Sequence, residues 1–302
     1  MSSVLTRSVR SFNFLRSVQS KFASPWAKPH FVDGVNGADT YNGDLPESAL
    51  KTIQAAVTAA AKGDVIYIRP LDYVLGRGFE RYTEDVIVPL AKHDLSIVGI
   101  NNGFNPEGGV RWKHVVTPLT VRAAALHLEN IGFFCEGATR AINYENDGNV
   151  SKVGSVYPTL YNCAIKGSTI LIDSGDGAKI EKCYFHAQFD GAVTGGIEGV
   201  TTGGTALRRL SIKDCMFFGG NGVAAATAFI ILTGGTITET EIDNCRFGKI
   251  PASGKYIVNT SVTGGILSNS FFANAALHRT NHLTLSGMIM AGCFDGSGGF
   301  VA

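Results

Sequence analysis

The sequence predicts an all-β solenoid of stacked coils, and three observations carry that expectation: a recurring six-residue phrase, a regular inward column of cysteines and an abundance of glycine. In each copy of the phrase an apolar residue is followed by any residue, a turn-former, an apolar or small residue, any residue and a last apolar one. The clear copies are Leu128–Phe133, Leu160–Ile165, Ile180–Phe185, Ile212–Phe217 and Ile242–Phe247. Looser copies lie at Leu267–Phe272 and Leu285–Met290, and an early one at Ile97–Asn102. The turn positions Gly99, Asn130, Asn162, Lys182, Asp214, Asn244, Asn269 and Gly287 are separated by 31, 32, 20, 32, 30, 25 and 18 residues. Self-similarity on that scale is the mark of a repeat architecture.

Each phrase fits two short strands of period-2 alternation, hinged at a residue that tolerates the left-handed conformation, as Asn, Asp and Gly do. Strand, hinge, strand is one corner of a coil in a parallel β-helix. Coils stack about 4.8 Å apart, so equivalent residues form ladders along the tube. The hinge asparagines Asn130, Asn162 and Asn244 are expected to stack their amides. Cys163, Cys183, Cys215 and Cys245 share one inward slot, which Ile131, Ser270 and Met288 take in other copies. A free cysteine packs as a small hydrophobe, so these read as reduced core thiols. No CxxC pair or Cys/His cluster offers metal-ligand spacing, and no metal or cofactor is expected. Unpaired thiols also favour folding in a reducing cytosol. A second repeat, Thr202-Gly203-Gly204, Thr233-Gly234-Gly235 and Thr263-Gly264-Gly265, is expected to open the approach to the next phrase.

Composition is consistent with one elongated domain. The chain has 302 residues, 45% of them apolar, and its 37 glycines suit tight turns between short strands. A formal net charge of +1 gives no support for a nucleic-acid grip. No run of 18 consecutive apolar residues suggests a membrane span.

Three regions follow one another. Residues 1–30 carry Arg7, Arg10, Arg16, Lys21 and Lys28 and no acid before Asp33. Val4, Leu5, Val9, Phe12, Leu15, Val18 and Phe22 give them one apolar helical stripe. Interspersed charges exclude a secretory signal, while the Arg- and Ser-rich, acid-free composition also fits a transit peptide. The reading preferred is an extended or helical attachment arm acting through Arg7, Arg10, Phe12, Phe14, Arg16 and Phe22. Residues 31–64 form a capping segment in which Glu47 to Ala61 reads as an amphipathic helix. Residues 65–302 form the stack.

The capping segment contains Phe31-Val32-Asp33-Gly34, Asn36-Gly37-Ala38-Asp39-Thr40, Asn42-Gly43, Lys51-Thr52-Ile53-Gln54-Ala55-Ala56-Val57 and Gly63-Asp64-Val65-Ile66-Tyr67-Ile68. This string resembles the start of pectin-lyase-like right-handed parallel β-helix proteins, among them phage tailspikes and other appendages. The resemblance implies that a short helix covers the first coil, where an open end would expose backbone and core. It also implies a virion protein made in the host cytoplasm, often a homotrimer. Where such proteins often continue Pro-Gly-Thr-Tyr, this chain has Pro70-Leu71-Asp72-Tyr73 and an insertion through Tyr82, expected to project as a loop.

Chemistry is harder to find. Paired carboxylates for glycan cleavage stand about 5 to 9.5 Å apart, and Glu181 with Asp214, the group Glu239, Glu241 and Asp243, and Asp173 with Asp176 meet that spacing in principle. Asp214 takes a hinge slot, however, and Glu181 and Asp243 point outward into solvent. The strings that mark pectate lyases and polygalacturonases are absent, His127, His186 and His278 stand alone, and no Gly-x-Ser-x-Gly elbow occurs. No catalytic residue is therefore assigned. Tyr161 and Tyr184, placed in one outward slot a coil apart, are a possible platform for a host-surface glycan or a plain aromatic stack. The reading reached is a structural virion protein, a head decoration, fibre or tail appendage with capsid or tail proteins as partners. The alternative is a depolymerase, a lyase or glycoside hydrolase of surface glycans. A cell-surface adhesin would call for a signal peptide.

Overall fold

A computed structural model describes residues 23–71, 73–74, 78–100, 109–135, 140–145, 156–167, 169–187, 196–201, 206–219, 228–248, 250, 254–273 and 282–301. The arm residues Arg7, Arg10, Phe12, Phe14, Arg16 and Phe22 lie outside them. Three long sheets run the length of the chain. The first has ten strands in chain order, from Pro29–Val32 and Val65–Ile68 through Thr159–Tyr161, Lys179–Glu181 and Ser211–Lys213 to Met288–Ala291. The second runs from Tyr82–Thr83 and Val110–Lys113 through Ile131–Phe134, Ala164–Lys166 and Tyr184–Ala187 to Cys293–Asp295. The third has eight strands, from Ile87–Val88 to Leu283–Leu285, and a short sheet of Gly175–Asp176, Leu207–Arg208 and Ile237–Thr238 makes a fourth wall for part of the stack. Neighbouring strands in the stack pair in parallel, each with its counterpart one coil on. The chain is a parallel β-helix.

From Ala125 onward, two left-handed corners frame each first-sheet strand. After the first sheet come Asn130, Asn162, Lys182, Asp214, Asn244, Asn269 and Gly292, with φ between 49° and 63°. Before it come Asp94, Ala125, Tyr157, Gly177, Arg209, Glu239, Gly264 and Gly287, also at positive φ. Both series keep the hydrogen-bond ladder unbroken around the bend. Asn162 donates its backbone N–H to the Glu181 carbonyl at 3.0 Å, Lys182 to Lys213 at 3.0 Å and Asp214 to Asp243 at 3.1 Å. Gly177 and Arg209 do the same at the other corner, to Arg208 and Thr238, each at 3.0 Å. Gly99 holds the early hinge slot because its backbone passes so close to Asn130 that a Cβ would collide with the Asn130 carbonyl.

The register corrects three expectations. Gly287 belongs to the second corner series, and Leu283–Leu285 is a strand of the third sheet. The last phrase is instead Met290 to Asp295, which puts Gly292 at the hinge and Cys293 in the thiol slot; Met288 pairs with Gly265. Thr233-Gly234-Gly235 precedes a strand of the short sheet, whereas Thr263-Gly264-Gly265 sits at the second corner, because coils of unequal length shift one against the other. The hinge amides do not form one column either. Asn162 donates to Asn130 Oδ1 at 2.6 Å, Lys182 interrupts, and Asn244 donates to Asp214 Oδ1 at 2.6 Å, a carboxylate in place of an amide.

Inside the tube, all six cysteines are free and buried. The slot after the hinge sits over the carbonyl two residues earlier, just before the chain bends. Cys163, Cys183, Cys215 and Cys245 place Sγ within 3.2 to 3.4 Å of that oxygen. Ser270 makes the same bond with its hydroxyl at 2.8 Å. These carbonyls already accept the hinge N–H of the preceding coil, as Tyr161 does from Asn130 and Glu181 from Asn162, so the weak S–H donor adds a second contact while the side chain fills a small apolar slot. Burial holds the Cys183 thiol well above its ordinary pKa, helped by hydrogen bonds to Cys163 and Cys215. Two slots on, Phe185, Phe217, Phe247 and Phe272 stack face to face, with centroids 4.7, 4.9 and 4.8 Å apart. Tyr256, fully buried, meets Phe247 and Phe272 edge-on.

The two ends are closed differently. The helix expected over Glu47 to Ala61 is split: Pro46–Ser48 is a single 3₁₀ turn and Ile53–Ala59 is the α-helix. The break arises because Leu50 donates its N–H to the Phe31 carbonyl, while Lys51 and Thr52 donate theirs to Asp39 Oδ1. Thr52 then caps the helix through Ala55. Its buried residues Ile53, Ala56 and Val57 join the core at the open mouth of the tube. Glu84, on the first coil, grips the helix start by accepting the N–H groups of Ile53 and Gln54 at 2.9 and 3.0 Å. The insertion after Pro70 contains an antiparallel pair, Tyr73–Val74 with Gly78–Phe79, and Tyr82 returns to the core. At the other end Phe300–Val301 folds back antiparallel on Cys293–Asp295.

Replacing Asn162 with Leu removes the amide bond to Asn130 and puts a bulky side chain at a left-handed corner, where φ is 51°. The expected loss is about 1–3 kcal/mol in urea unfolding; an unchanged midpoint contradicts the hinge register. Glu84 has a raised pKa because burial outweighs its two helix bonds. Its folded form binds the proton more tightly, so its contribution favours the fold at low pH and is lost as pH rises from the ordinary 4.5 through the raised value. Glu84→Gln cannot ionise. Its stability relative to the parent should therefore increase from pH 4 toward pH 7, on the order of the window that one shifted carboxylate provides; a constant difference refutes the assignment.

Candidate functional site

With the core committed to ladders, function must be carried by outward columns. Tyr161 and Tyr184 do not share one. Tyr161 lies in the first sheet, paired with Glu129 and Glu181, and Tyr184 lies in the second, paired with Ala164 and Met216. The hinge falls between their two slots, so the tyrosines face different sides of the tube, and the platform they were expected to form together is not there. Tyr161 has the Lys182 ammonium 5.5 Å from its ring centroid. Tyr184 stacks on His186 at 6.0 Å and meets Phe218 at a tilt, 5.2 Å between centroids.

Tyr184 leads to a larger feature. The outward columns of the second sheet carry Arg111, Lys113, Lys166 and Arg246, and Asp295 on the last rung is the one carboxylate within the described strands of that sheet. Phe134, only 3% exposed, sits beneath three cations: Arg81, Arg111 and Lys166 place their charged groups 5.2, 4.8 and 5.6 Å from its ring centroid. Further along, Arg246 covers Phe271 at 5.8 Å. Three described carboxylates at its edges are engaged elsewhere. Glu84 is bonded to the capping helix, and Asp85 accepts the N–H groups of Val115, Val116 and Thr117, which outweigh desolvation and hold its pKa low. Asp295 closes its own hairpin turn by accepting from Ser297 and Gly299. Sequence reasoning missed this face because its cations are spread from Arg81 to Arg246. Reading the slots after each hinge as vertical columns would have found it.

Three of the acids singled out in the sequence, Glu181, Glu239 and Glu241, gather on another side. A shallow cleft of about 490 Å³ runs along the first sheet and its preceding corner, lined by Tyr157, Lys179, Glu181, Arg209, Ser211, Lys213, Glu239 and Glu241 among others. Three of its charged residues are in ion pairs. Arg209 grips Asp176 through Nε and Nη2 at 2.6 and 2.5 Å, and the hydrogen bond from Arg209 is the main cause of the lowered Asp176 pKa. The same guanidinium reaches Tyr157 Oη at 3.2 Å, and Tyr157 lies across Gly177, where a Cβ would strike its ring. Lys213 pairs with Glu241 at 2.8 Å. Asp214 and Asp243 are outside the cleft lining: Asp214 serves the hinge, and Asp243 accepts from Ser268 and Asn269 at 2.7 and 2.9 Å, with a lowered pKa for which the Ser268 bond is the first cause. Asp173 accepts from Ser174 at 3.2 Å.

One pair was not foreseen. Cys135 and His114, both buried, approach to 3.1 Å between Sγ and Nδ1, a Cys/His contact that the sequence spacing had hidden. Burial pushes the Cys135 thiol up to about 11 and the His114 imidazole down, the opposite directions from those of an activated thiolate–imidazolium pair. Among the described residues no group of three or more His, Cys, Asp or Glu side chains is arranged to hold a metal.

Comparison with solved structures places the architecture. The chain superimposes on a rhamnogalacturonan lyase with a TM-score of 0.50 at 14% identity, covering 90% of this chain and 75% of the lyase. The shared fold is the pectin-lyase-like β-helix. At that identity the likeness extends to the fold alone. ORF18 of Geobacillus virus E2 aligns over 98% of this chain and 64% of its own length, slightly under two thirds, with a TM-score of 0.39 and 11% identity. A putative glycosyl hydrolase from Parabacteroides merdae gives a TM-score of 0.26 at 12% identity over 79% of this chain and 83% of the hydrolase. No family model matches the sequence, and no curated protein does.

Proposed function

We propose that this chain is a structural protein of a phage particle, a head decoration, fibre or tail appendage assembled as a homotrimer. The residues before the Pro29–Val32 strand form its attachment arm, and that strand, the capping segment through residue 64 and the stack from residue 65 onward form its projecting body. The observation that carries the reading is the continuity of the rod: thiols and rings stack rung on rung inside it, and the Ile53–Ala59 helix seals its mouth. Such a body is rigid and resists opening. Its reduced thiols suit assembly in a host cytoplasm before release. The basic, apolar-striped arm has no place in the repeat and gains most by ordering on a capsid or tail protein.

A second reading, a glycan depolymerase, is favoured by one feature. Glu181, Glu239 and Glu241 share the first-sheet cleft with Lys179 and Lys213, the acid and base side chains such chemistry would draw on. Deleting residues 1–24 separates the two. Under the structural reading the shortened chain folds, stays soluble and fails to join particles, and the intact chain leaves the viscosity of capsule or pectin solutions unchanged. Normal occupancy of particles by the shortened chain would show the arm to be dispensable, and a fall in viscosity would favour the depolymerase.

A further inference from the structure

We infer that the Phe300–Val301 strand is a guard that stops the far end of the stack from pairing, end to end, with a second copy of this chain. The inference concerns the end of the body and does not rest on the proposed function. Six successive hinges, Asn130, Asn162, Lys182, Asp214, Asn244 and Asn269, donate their backbone N–H to the next coil. The following hinge, Gly292, has no coil to reach, and its N–H finds no acceptor among the described residues. The strand beside it, Met288–Ala291, ends the first sheet, carries no charge and leaves Ile289 70% exposed next to Ile266. A bare apolar edge of this kind is a template for another strand. The opposite end of the sheet offers no such edge, because Phe31 on the first strand exchanges backbone bonds with Gly43 and Leu50. Two like ends are therefore the surfaces left to meet.

The period of the strand dictates how they would meet. Opposed residues in a continuous sheet face the same side. An antiparallel pair of Met288–Ala291 strands therefore sets Ile289 against Ile289 outside and Met288 against Met290 inside, about a two-fold axis through Ile289. That axis lays the second sheet of one copy over the third sheet of the other. The chain climbs through Leu283–Leu285, Met288–Ala291 and Cys293–Asp295 in turn, so the end of the tube is a step, and two such steps fit one rung apart across all three sheets. Phe300–Val301 breaks the match: paired beyond Cys293–Asp295, it occupies the layer that the second copy's Leu283–Leu285 would take. Its turn is held by Asp295, which accepts the N–H groups of Ser297 and Gly299 at 2.9 and 3.0 Å, and the Phe294 and Phe300 rings lie 4.6 Å apart. Asp295 also follows Phe272 in register, so the inward column of rings ends on a carboxylate. An inward acid and a guard strand of only 2 residues both discourage edge pairing.

The test compares purified full-length protein with two hairpin-opening variants by sedimentation equilibrium and small-angle X-ray scattering. Asp295→Ala removes the acceptor of the turn, and Val301→Pro cannot keep its pairing with Cys293. Each variant should associate to twice the parent's mass and about twice its length, while the parent keeps its own mass over the same concentrations. Adding Ile289→Lys to either variant, at an exposed position that spares the core, should restore the parent's mass. An unchanged mass for both variants, a doubled mass without a doubled length, or association that survives Ile289→Lys would each overturn the inference. Hydrogen exchange on the parent needs no variant: the Met290 and Gly292 amides, which face the bare edge, should exchange fast, and protection of both would overturn it equally.

Discussion

Everything in this chain depends on holding parallel strands in register around bends that recur once or more per coil. A parallel strand must leave its sheet, turn and return one rung higher without losing backbone hydrogen bonds, and a left-handed residue at the bend does this by letting the N–H at the corner reach the next coil. The two series of such residues lie five positions apart, as in Tyr157 and Asn162 or Arg209 and Asp214. From His127–Glu129 onward they frame each first-sheet strand and fix its length. Once that length is fixed, every slot beyond it falls into a column, and like stacks on like.

The thiol column shows how tightly chemistry follows from this. The slot after the hinge lies against a carbonyl already bonded to the hinge N–H of the preceding coil, and it calls for a compact side chain of little polarity. Cysteine meets the demand, serine does so at residue 270, and Ile131 fills the space on an earlier coil without the bond. The phenylalanine stack two slots on then fills the widest part of the tube with rings at nearly constant spacing. Because the interior is settled in this way, the outward columns are free to differ from sheet to sheet. The first sheet has become a mixed surface of acids and bases, with Lys213 paired to Glu241, and the second a surface of cations and rings.

How much of this could be read from the sequence follows from the same division. The thiol and phenylalanine slots were legible because inward positions are restricted to few residue types and repeat nearly unchanged. The hinge after the first sheet was legible where Asn, Asp or Gly marks it. The opposite corner was not, since Ala125, Tyr157, Arg209 and Glu239 have no preference for positive φ and are held there by stacking, each at a strain of about 1–2 kcal/mol that the ladder bonds offset. The final phrase was misplaced because Leu285-Ser286-Gly287-Met288 mimics the hinge motif while belonging to a third-sheet strand and the next corner. Tyr161 and Tyr184 were assigned one slot although the hinge separates them. The cationic face escaped notice because its members meet only when the coils are stacked.

The central claim is that the repeated phrases stack in one register, with the cysteines buried in consecutive rungs. Alkylation of the native protein, read residue by residue by mass spectrometry and followed through urea unfolding, tests it most directly. All six cysteines should resist labelling in the native protein, and Cys163, Cys183, Cys215, Cys245 and Cys293 should become reactive together as the stack unfolds, with no disulfide detected. Rapid native labelling of any one of those five, or a disulfide linking two of them, would contradict the register on which the whole account rests.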